Sequence, residues 1–473
     1  MGALPTVESG AAVRARRWDA VVLGSGVHAL VAAARLGMAG HRVLVVEEEA
    51  SQRAYPGLRE PFFLAGAREG GVLEQTLRTL TIPLIDRRRI VDEDVAYQLV
   101  GRDLRADVGL PDLTAYELVA WGLAKPEEAQ ALLRALAEAG EVERKAMLDA
   151  PLVRVGRLAG LGRTAVEGSH LRGLPAEARS ADPRLALMLR AQARALGNLP
   201  LTVPGPECQA RLLSTALAGG ASFRDGAPWL HGILRKRVES VYGEFRALSG
   251  EFRLVSAAGL PAVSVTKTGE LWIGRILVVA APGSAVAAAH GPGDPPDFLA
   301  AERSHGRRAV VHLRARRHVL PPAMASRLIL VDEEQSSGEL PSVTSLAVFE
   351  QPEEREWVNL VLRSVVLEEG DEAAEKQQAE ERMEQRMIEQ VRELLPFAED
   401  ALERRPVQRP LWDDEDCLEE PPAAGHWPGH FDLRVHGRPP VYALDRSRVA
   451  GLGLEGELLL GWRGGDALAA ELG

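Results

Sequence analysis

The clearest hydrophobic pattern in the chain is an apolar run that leads into two closely spaced glycines. Residues 20–23 are all apolar, and Gly24 and Gly26 follow them. A stretch of small and apolar residues, 27–38, comes next, and a second apolar run then ends at the acidic Glu47. Continuous apolar runs are typical of strands buried on both faces, whereas the middle stretch favours a helix. We therefore predict a strand, a glycine turn, a helix and a second strand.

The residue types in this unit suit a dinucleotide. Gly24 allows a tight turn after the first strand, and Gly26 lacks the Cβ that would keep the backbone away from a pyrophosphate. The following helix would direct its free N–H groups and its positive dipole end at the phosphates. Glu47 could accept hydrogen bonds from ribose hydroxyls, and Ala29 takes the position of the third glycine. The alternative is a buried β-α-β unit whose glycines serve only packing.

Strands are also predicted in the second half of the chain. Over 238–281 the apolar segments are 253–255, 262–266 and 271–280, and the last has no alternation after Ile276, which favours a buried parallel strand. A hairpin that returns to the central sheet is the simplest arrangement.

A second sheet is predicted over residues 308–367. The next segment is helical, with Asp371 as its cap, Met383, Met387, Val391 and Leu394 on one face, and Pro396 after its end. The methionines are expected in the core.

Length and composition limit the class of protein. At 473 residues, with 46% hydrophobic residues, the chain predicts a globular protein of two domains. A net charge of −11 disfavours nucleic acid as a partner, and two distant cysteines predict neither a disulfide framework nor a metal site. We find no membrane span and no signal peptide, so a cytoplasmic location is expected. Basic charge carried by arginine rather than lysine, with abundant Ala and Gly, is typical of a GC-rich bacterial source.

The helical region 111–200 contains a locally basic part, 151–200, rich in arginine. It could lie on an anionic membrane surface, or it could be an ordinary solvated helical face.

Four segments in order along the chain resemble one family. They are the β-α-β unit, the strand 271–280 followed by Ala-Pro, the segment 394–410 and the tail 449–470. Together they resemble the phytoene desaturase-like branch of the FAD-dependent amine oxidase superfamily. The resemblance implies an α/β fold in which a discontinuous Rossmann-type FAD-binding domain is joined to a second, α+β substrate domain. The implied FAD-binding segments are 18–110, 201–290 and 440–473, and the implied substrate-domain segments are 111–200 and 291–439.

The resemblance also implies a set of FAD-binding residues. In the tail, residues 458–461 would form a strand, and a glycine turn would lead to a helix beginning at Ala467. An arginine in the loop after Glu47 could face the pyrophosphate or be solvated, and Trp462 stands where many relatives have aspartate. The implied contacts are Gly24, Ser25, Gly26, Ala29, Glu47, Glu48, Arg53, Val255, Gly461, Trp462, Gly465 and Asp466.

The implied activity is hydride transfer between FAD and an apolar, isoprenoid-like substrate, as in a desaturase, dehydrogenase or isomerase. The chemistry belongs mainly to the cofactor, so no catalytic residue is assigned. The histidines weighed as acid or base are His231, His426, His430 and His436, and a structural role suits each of them as well. Two alternatives stay open: a flavin-free binding protein of the same fold that holds a lipid or a prenylated partner, and a dehydrogenase that uses NAD alone.

Overall fold

The structure is a computed structural model that describes most of the chain. The described residues are 4–6, 14–50, 54–149, 153–155, 171–224, 230–292, 294–299, 304–336, 340–350, 354–367, 373–407, 412, 417–420 and 427–473. Within these ranges, no helix has both the length and the apolar character needed to cross a bilayer.

Twenty strands and twelve α-helices are named within the described ranges. The strands are β1 (Arg14–Leu23), β2 (Val43–Glu48), β3 (Ile90–Glu93), β4 (Val95–Gly101), β5 (Leu104–Gly109), β6 (Val153–Arg154), β7 (Gly220–Phe223), β8 (Glu244–Leu248), β9 (Phe252–Ala257), β10 (Leu260–Val265), β11 (Glu270–Val279), β12 (Ser304–Arg316), β13 (Arg327–Asp332), β14 (Ser342–Glu350), β15 (Trp357–Leu367), β16 (Leu402–Arg405), β17 (Cys417–Glu420), β18 (Phe431–Asp432), β19 (Arg434–His436) and β20 (Val441–Ala443). The helices are α1 (Val27–Met38), α2 (Val72–Thr79), α3 (Leu84–Arg87), α4 (Pro111–Ala120), α5 (Pro126–Asp149), α6 (Ala176–Arg179), α7 (Pro183–Leu196), α8 (Pro206–Ala216), α9 (Leu230–Ser240), α10 (Gly283–Ala288), α11 (Ala373–Leu394) and α12 (Gly453–Leu472).

The first sheet is a Rossmann-type sheet. Its strand order is β19-β20-β11-β1-β2-β8, and β20, β11, β1, β2 and β8 run parallel. β9 and β10 form an antiparallel meander attached to β11. The C-terminal parts of β1 and β11, residues 20–23 and 276–279, are buried throughout, so their sequences are continuously apolar rather than alternating. The predicted β-α-β unit, the buried parallel strand and the hairpin before it are confirmed.

Helix α1 is buried between the first sheet, α9 and α12. Nine of its residues are buried, so small side chains prevail along it. Gly461 of α12 lies against the backbone of His28, and Gly465 lies against Ala32 and the Arg35 side chain. The absence of side chains at these two glycines lets the helix axes approach closely.

The second sheet has the order β16-β12-β15-β14-β13-β4-β5, with β17 paired to β12. One face packs against α11, where Met387 and Val391 are buried. The prediction of a second sheet, and of core methionines on a helix that ends at Leu394, is confirmed. The predicted cap Asp371 lies outside the described residues.

The predicted tail strand is wrong. Residues 458–461 belong to the twenty-residue helix α12, and no glycine turn separates residues 464–466 from it. The last strand of the first sheet is instead β20, which ends before Asp445. A short apolar run does not distinguish a strand from a helix buried all round, and the first half of α12, residues 453–461, is buried throughout.

The sheets do not follow two of the domain boundaries implied by the resemblance. β4 and β5 precede residue 110 but pair within the second sheet, and β19 precedes residue 440 but pairs with β20 of the first. The fold class is nevertheless the predicted one, a Rossmann-type sheet joined to a second sheet in a mixed α/β fold.

Candidate dinucleotide-binding site

The turn after β1 is built around Gly24. Its φ is +108°, in the region that favours glycine. Its N–H donates to the Val46 carbonyl at 2.8 Å, and the Leu23 carbonyl accepts the Ala281 N–H at 2.7 Å. A Cβ at position 24 would lie 2.7 Å from the Ala281 nitrogen. Backbone conformation and space therefore both require glycine where β1, β2 and β11 end.

The first turn of α1 keeps its backbone donors open to an anion. Gly26 is the N-cap and has no side chain to accept a hydrogen bond, and the first turn contains no acidic residue. The N–H groups of such a turn and the positive dipole end suit a phosphate. Ala29 is fully buried in the core beneath this turn. The backbone chemistry expected of a dinucleotide-binding turn is thus present.

The acid at the end of β2 is engaged by an arginine. The side chain of Glu47 is 0% exposed, and Nη1 of Arg235 lies 3.0 Å from its Oε1 and 2.9 Å from its Oε2. The Arg235 guanidinium also stacks 3.9 Å from the ring centre of Phe245 and lies 3.3 Å from Glu239. The sequence contained no motif that marked Arg235.

Glu48 holds a second segment at this edge. Its Oε2 accepts the backbone N–H of Trp412 at 2.7 Å. The Trp412 ring is buried and packs edge-on against Phe252 at 5.4 Å. An indole from the second half of the chain therefore lies beside the end of β2.

Arg59 is seen at the glycine turn, beside which the sequence predicted Arg53. Arg53 lies outside the described residues, whereas Arg59 ends the 3₁₀ helix Pro56–Arg59 in the same loop. Its Nη2 donates to Ser25 Oγ at 2.7 Å, and it is 9% exposed. A guanidinium in this position could contact a pyrophosphate. In the sequence, only the position of Arg59 shortly after Glu47 pointed to a contact at this turn.

His231 also contacts Ser25. Its Nε2 lies 2.9 Å from the Ser25 carbonyl oxygen. The Glu60 carboxylate accepts the N–H groups of Leu230 and His231, both at 3.0 Å, and so caps α9. Burial, reinforced by the charge of Arg59, lowers the pKa of His231 to about 3. A neutral imidazole therefore lies at the turn.

The four predicted tail contacts lie along α12. Asp466 forms an ion pair with Arg35 at 2.6 Å, in the last turns of α1. Trp462 is half-buried beneath the Arg463 guanidinium, 4.6 Å from its ring centre. With Gly461 and Gly465 against α1, these residues attach one helix to another.

Val255 is not beside the acid either. It lies on β9 opposite Ala262 and packs among the buried residues of the meander. The strand next to β2 is β8, where Ala247 lies opposite Glu47. The structure therefore brings together Gly24, Ser25, Gly26, Glu47 and Glu48, but not Val255 or the tail residues.

A small cavity lies beside the ends of β11 and β20. Its volume is about 100 Å³, and Ala281, Asp445, Arg446 and Asn198 are among the residues that line it. Asp445 follows β20 and accepts the Ser447 N–H at 3.1 Å. An aspartate thus lies two residues after β20, the last strand of the first sheet.

Buried acids also mark the start of α12. Both oxygens of Glu455 accept from Arg211 at 2.7 Å, and Glu457 accepts from Asn198 at 2.7 Å and from Arg446 at 3.3 Å. These partners offset charges that would otherwise be costly to bury.

A larger cavity lies against the second sheet. Its volume is about 430 Å³, and its lining includes Phe62, Leu64, Phe223 and Met324. Glu60, which caps α9, lines it as well. Phe62 also borders a smaller cavity of about 50 Å³ near the start of α12. Glu93, Arg224, Arg327 and Glu350 line it too, so the larger cavity has the size for a small ligand and a wall of both apolar and charged side chains.

The remaining histidines do not join the site. His436 Nε2 contacts the Arg438 carbonyl oxygen at 2.9 Å, near the start of β20. His430 is half-buried, before β18, and His426 lies outside the described residues.

Comparisons with known proteins identify the fold. No protein-family model matches the chain, and no curated protein matches it. Among solved structures, an oxidoreductase from Methanosarcina mazei is similar with a TM-score of 0.55 and 14% identity, over 94% of this chain and 99% of the other. The PF1083 protein from Pyrococcus furiosus gives 0.50 and 14%, over 97% and 98%. A double mutant of putrescine oxidase gives 0.53 and 12%, over 96% and 100%. The chain therefore has the fold of amine oxidase-type oxidoreductases along almost its whole length.

Proposed function

We propose that the protein is an FAD-dependent oxidoreductase that transfers hydride between flavin and an apolar, isoprenoid-like substrate. The observation that carries the proposal is the backbone at the end of β1 and the start of α1. Gly24 has the required positive φ, and Gly26 leaves the first N–H groups of α1 uncapped by side chains. This geometry lies within a fold shared with oxidoreductases.

The residues at the turn fit the adenine dinucleotide part of FAD. The N–H groups of α1 and the Arg59 guanidinium would hold the pyrophosphate, and Glu47 would accept the ribose hydroxyls. FAD, when bound, supplies the hydride acceptor. The protein's contribution is binding, orientation and exclusion of water. Asp445 and Arg446, which follow β20, are among the polar groups that line the cavity of about 100 Å³.

The apolar substrate is proposed from the cavity of about 430 Å³. Phe62, Leu64, Phe223 and Met324 in its wall offer contacts to a hydrocarbon. Glu60 connects this wall to the glycine turn, because the helix that it caps carries His231. The cavity and the cofactor motif are thus joined by a short series of contacts.

Entry of such a substrate from a membrane remains part of the proposal. The basic region 151–200 would rest on anionic lipid, although residues 156–170 lie outside the described ranges. Sedimentation of the protein with anionic vesicles, but not with neutral ones, is the expected result. Failure to sediment with anionic vesicles would remove this part.

The test of cofactor binding is an absorption spectrum of the purified protein, recorded before and after incubation with FAD and removal of the excess. We expect flavin absorbance near one equivalent, and no comparable retention of NAD. Arg59→Met should weaken FAD binding by about 10- to 100-fold, because a charge-assisted contact to phosphate is lost. Arg102→Met is the matched control, since Arg102 is 71% exposed and pairs with Glu334 far from the turn. Absence of flavin after reconstitution would refute the proposal.

A flavin-free binding protein is the second candidate. The observation that favours it is the ion pair of Glu47 with Arg235, which occupies the acid that a ribose would need. Under this alternative, the cavity of about 430 Å³ would bind its ligand equally well in protein that never retains FAD.

A further inference from the structure

We propose that Arg235 is an internal competitor of the cofactor, which holds the site in a closed form until FAD displaces it from Glu47. The inference rests on the proposed function and adds to it a competing, closed state of the same site. We call the Arg235–Glu47 ion pair, together with the contact of His231 to Ser25, the latch.

The ion pair occupies the place of the ribose. One guanidinium nitrogen lies within 3.0 Å of both oxygens of Glu47, whose side chain is 0% exposed. A ribose needs those oxygens as acceptors for its hydroxyls. Since the carboxylate is engaged and covered, a dinucleotide can reach it only after Arg235 has moved.

The glycine turn is closed by the same helix. His231 and Arg235 are four residues apart on α9, so both project from one helical face. His231 contacts the Ser25 carbonyl at 2.9 Å, while Arg59 donates to the Ser25 hydroxyl at 2.7 Å. Ser25 is consequently only 4% exposed. The phosphate position and the ribose position are covered together.

Arg235 has an alternative partner that allows release. Its Nε lies 3.3 Å from Glu239, one helical turn further along α9 and 53% exposed. Rotation of the side chain towards Glu239 would keep an ion pair at the surface and break the contact between Arg235 and Glu47. The guanidinium is itself 30% exposed, so this movement does not require α9 to unfold.

The latch must reduce the apparent affinity for FAD. Only molecules in which Arg235 has left Glu47 can bind FAD, and the observed dissociation constant equals the intrinsic one divided by the fraction of such molecules. In Arg235→Met the side chain keeps apolar contact with Phe245 but no longer competes for the carboxylate. We therefore expect Arg235→Met to bind FAD at least about tenfold more tightly than the wild-type protein.

The experiment is a titration of cofactor-free full-length protein with FAD, followed by quenching of flavin fluorescence and by calorimetry. Wild type, Arg235→Met, Glu239→Gln and the control Lys236→Met, at an exposed position of α9, are compared, and the melting temperature of each is recorded with and without FAD. Glu239→Gln should weaken FAD binding, because the partner that Arg235 takes on release is lost, whereas Lys236→Met should leave the affinity within about twofold of wild type. Arg235→Lys, which keeps the charge but not the planar fork, should be intermediate and serves if the methionine variant does not fold.

The outcomes separate the two proposals. Tighter binding by Arg235→Met, with a larger thermal shift on FAD addition, supports the latch. Equal or weaker binding by Arg235→Met and Arg235→Lys, with measurable binding by wild type, overturns the latch and leaves the proposed function intact. No FAD binding by any of these proteins refutes both.

Discussion

Two histidines beside the glycine turn are buried in their neutral form. The Nε2 atom of His28 contacts the Ala280 carbonyl oxygen at 2.8 Å, and that of His231 contacts the Ser25 carbonyl at 2.9 Å. Burial lowers the pKa of His28 from 6.5 to about 4 and that of His231 from 6.5 to about 3. Below pH 6.5 the unfolded chain therefore binds protons that the folded chain does not, so acid lowers the free energy of unfolding.

His231→Gln should make the protein less sensitive to acid. Between pH 7 and pH 5, removal of one such histidine should reduce the loss in unfolding free energy by about 2 kcal/mol. Urea denaturation at the two pH values measures this difference. His318→Gln is the control, because His318 is exposed. A wild-type pH dependence in His231→Gln would mean that His231 is not held neutral in the fold.

At the level of single residues, the sequence identified only those tied to a local motif. Gly24, Gly26 and Glu47 could be chosen because strand, turn and helix fix their spacing. Arg235 contacts Glu47 across 188 residues, and nothing in its neighbours indicates that contact. Arg59 is only 9% exposed, and nothing in the sequence around it indicates that burial. Partners brought together by tertiary packing leave no periodic signal in a single sequence.

Among the elements, α12 shows why an apolar run can mislead. Residues 453–461 are all buried, so this half of the helix has no exposed face to reveal a helical period. Its glycines then resemble a turn. Gly461 and Gly465 are four residues apart, however, and lie on the same helical face, which contacts α1. The strands β1, β2 and β11 were predictable because an apolar run of that length between glycine and proline is typical of buried parallel strands.

Gly461→Ile should separate α12 from α1. A Cβ at position 461 would clash with the His28 carbonyl, and both partners in this contact are helix backbone. Overpacking of this kind typically costs about 1–3 kcal/mol, and rigid backbone on both sides favours the upper end. Denaturant unfolding would measure the loss. Gly437→Ala is the control, since a Cβ there meets no atom within 4 Å. Equal stability of the two variants would show that close helix contact is not why position 461 is glycine.

For the whole molecule, the sequence predicted two sheets but not the strands that each contains. β4 and β5 cover residues 95–109, yet β4 pairs in parallel with β13, which lies more than 200 residues further along the chain. Pairing depends on which edges meet in the folded chain, and the alternation within a strand does not encode its neighbour. The cavity of about 430 Å³ forms only when these distant segments meet, because its walls come from the loop residues 60–64 and from β7, β13 and β14.

We expect Phe62 to limit the length of the substrate that the cavity of about 430 Å³ can hold. Its ring borders both the cavity of about 430 Å³ and the cavity of about 50 Å³ near α12. Phe62→Ala removes that partition, so longer apolar substrates should gain room at the inner end. In FAD-loaded protein, we expect kcat/KM for flavin reduction to shift by about tenfold in favour of longer chains within a homologous series. Flavin content should not change, because Phe62 is not among the proposed cofactor contacts. Phe397→Ala, at a side chain 95% exposed, is the matched control. If the chain-length profile of Phe62→Ala coincides with those of wild type and the control, the substrate does not bind in this cavity.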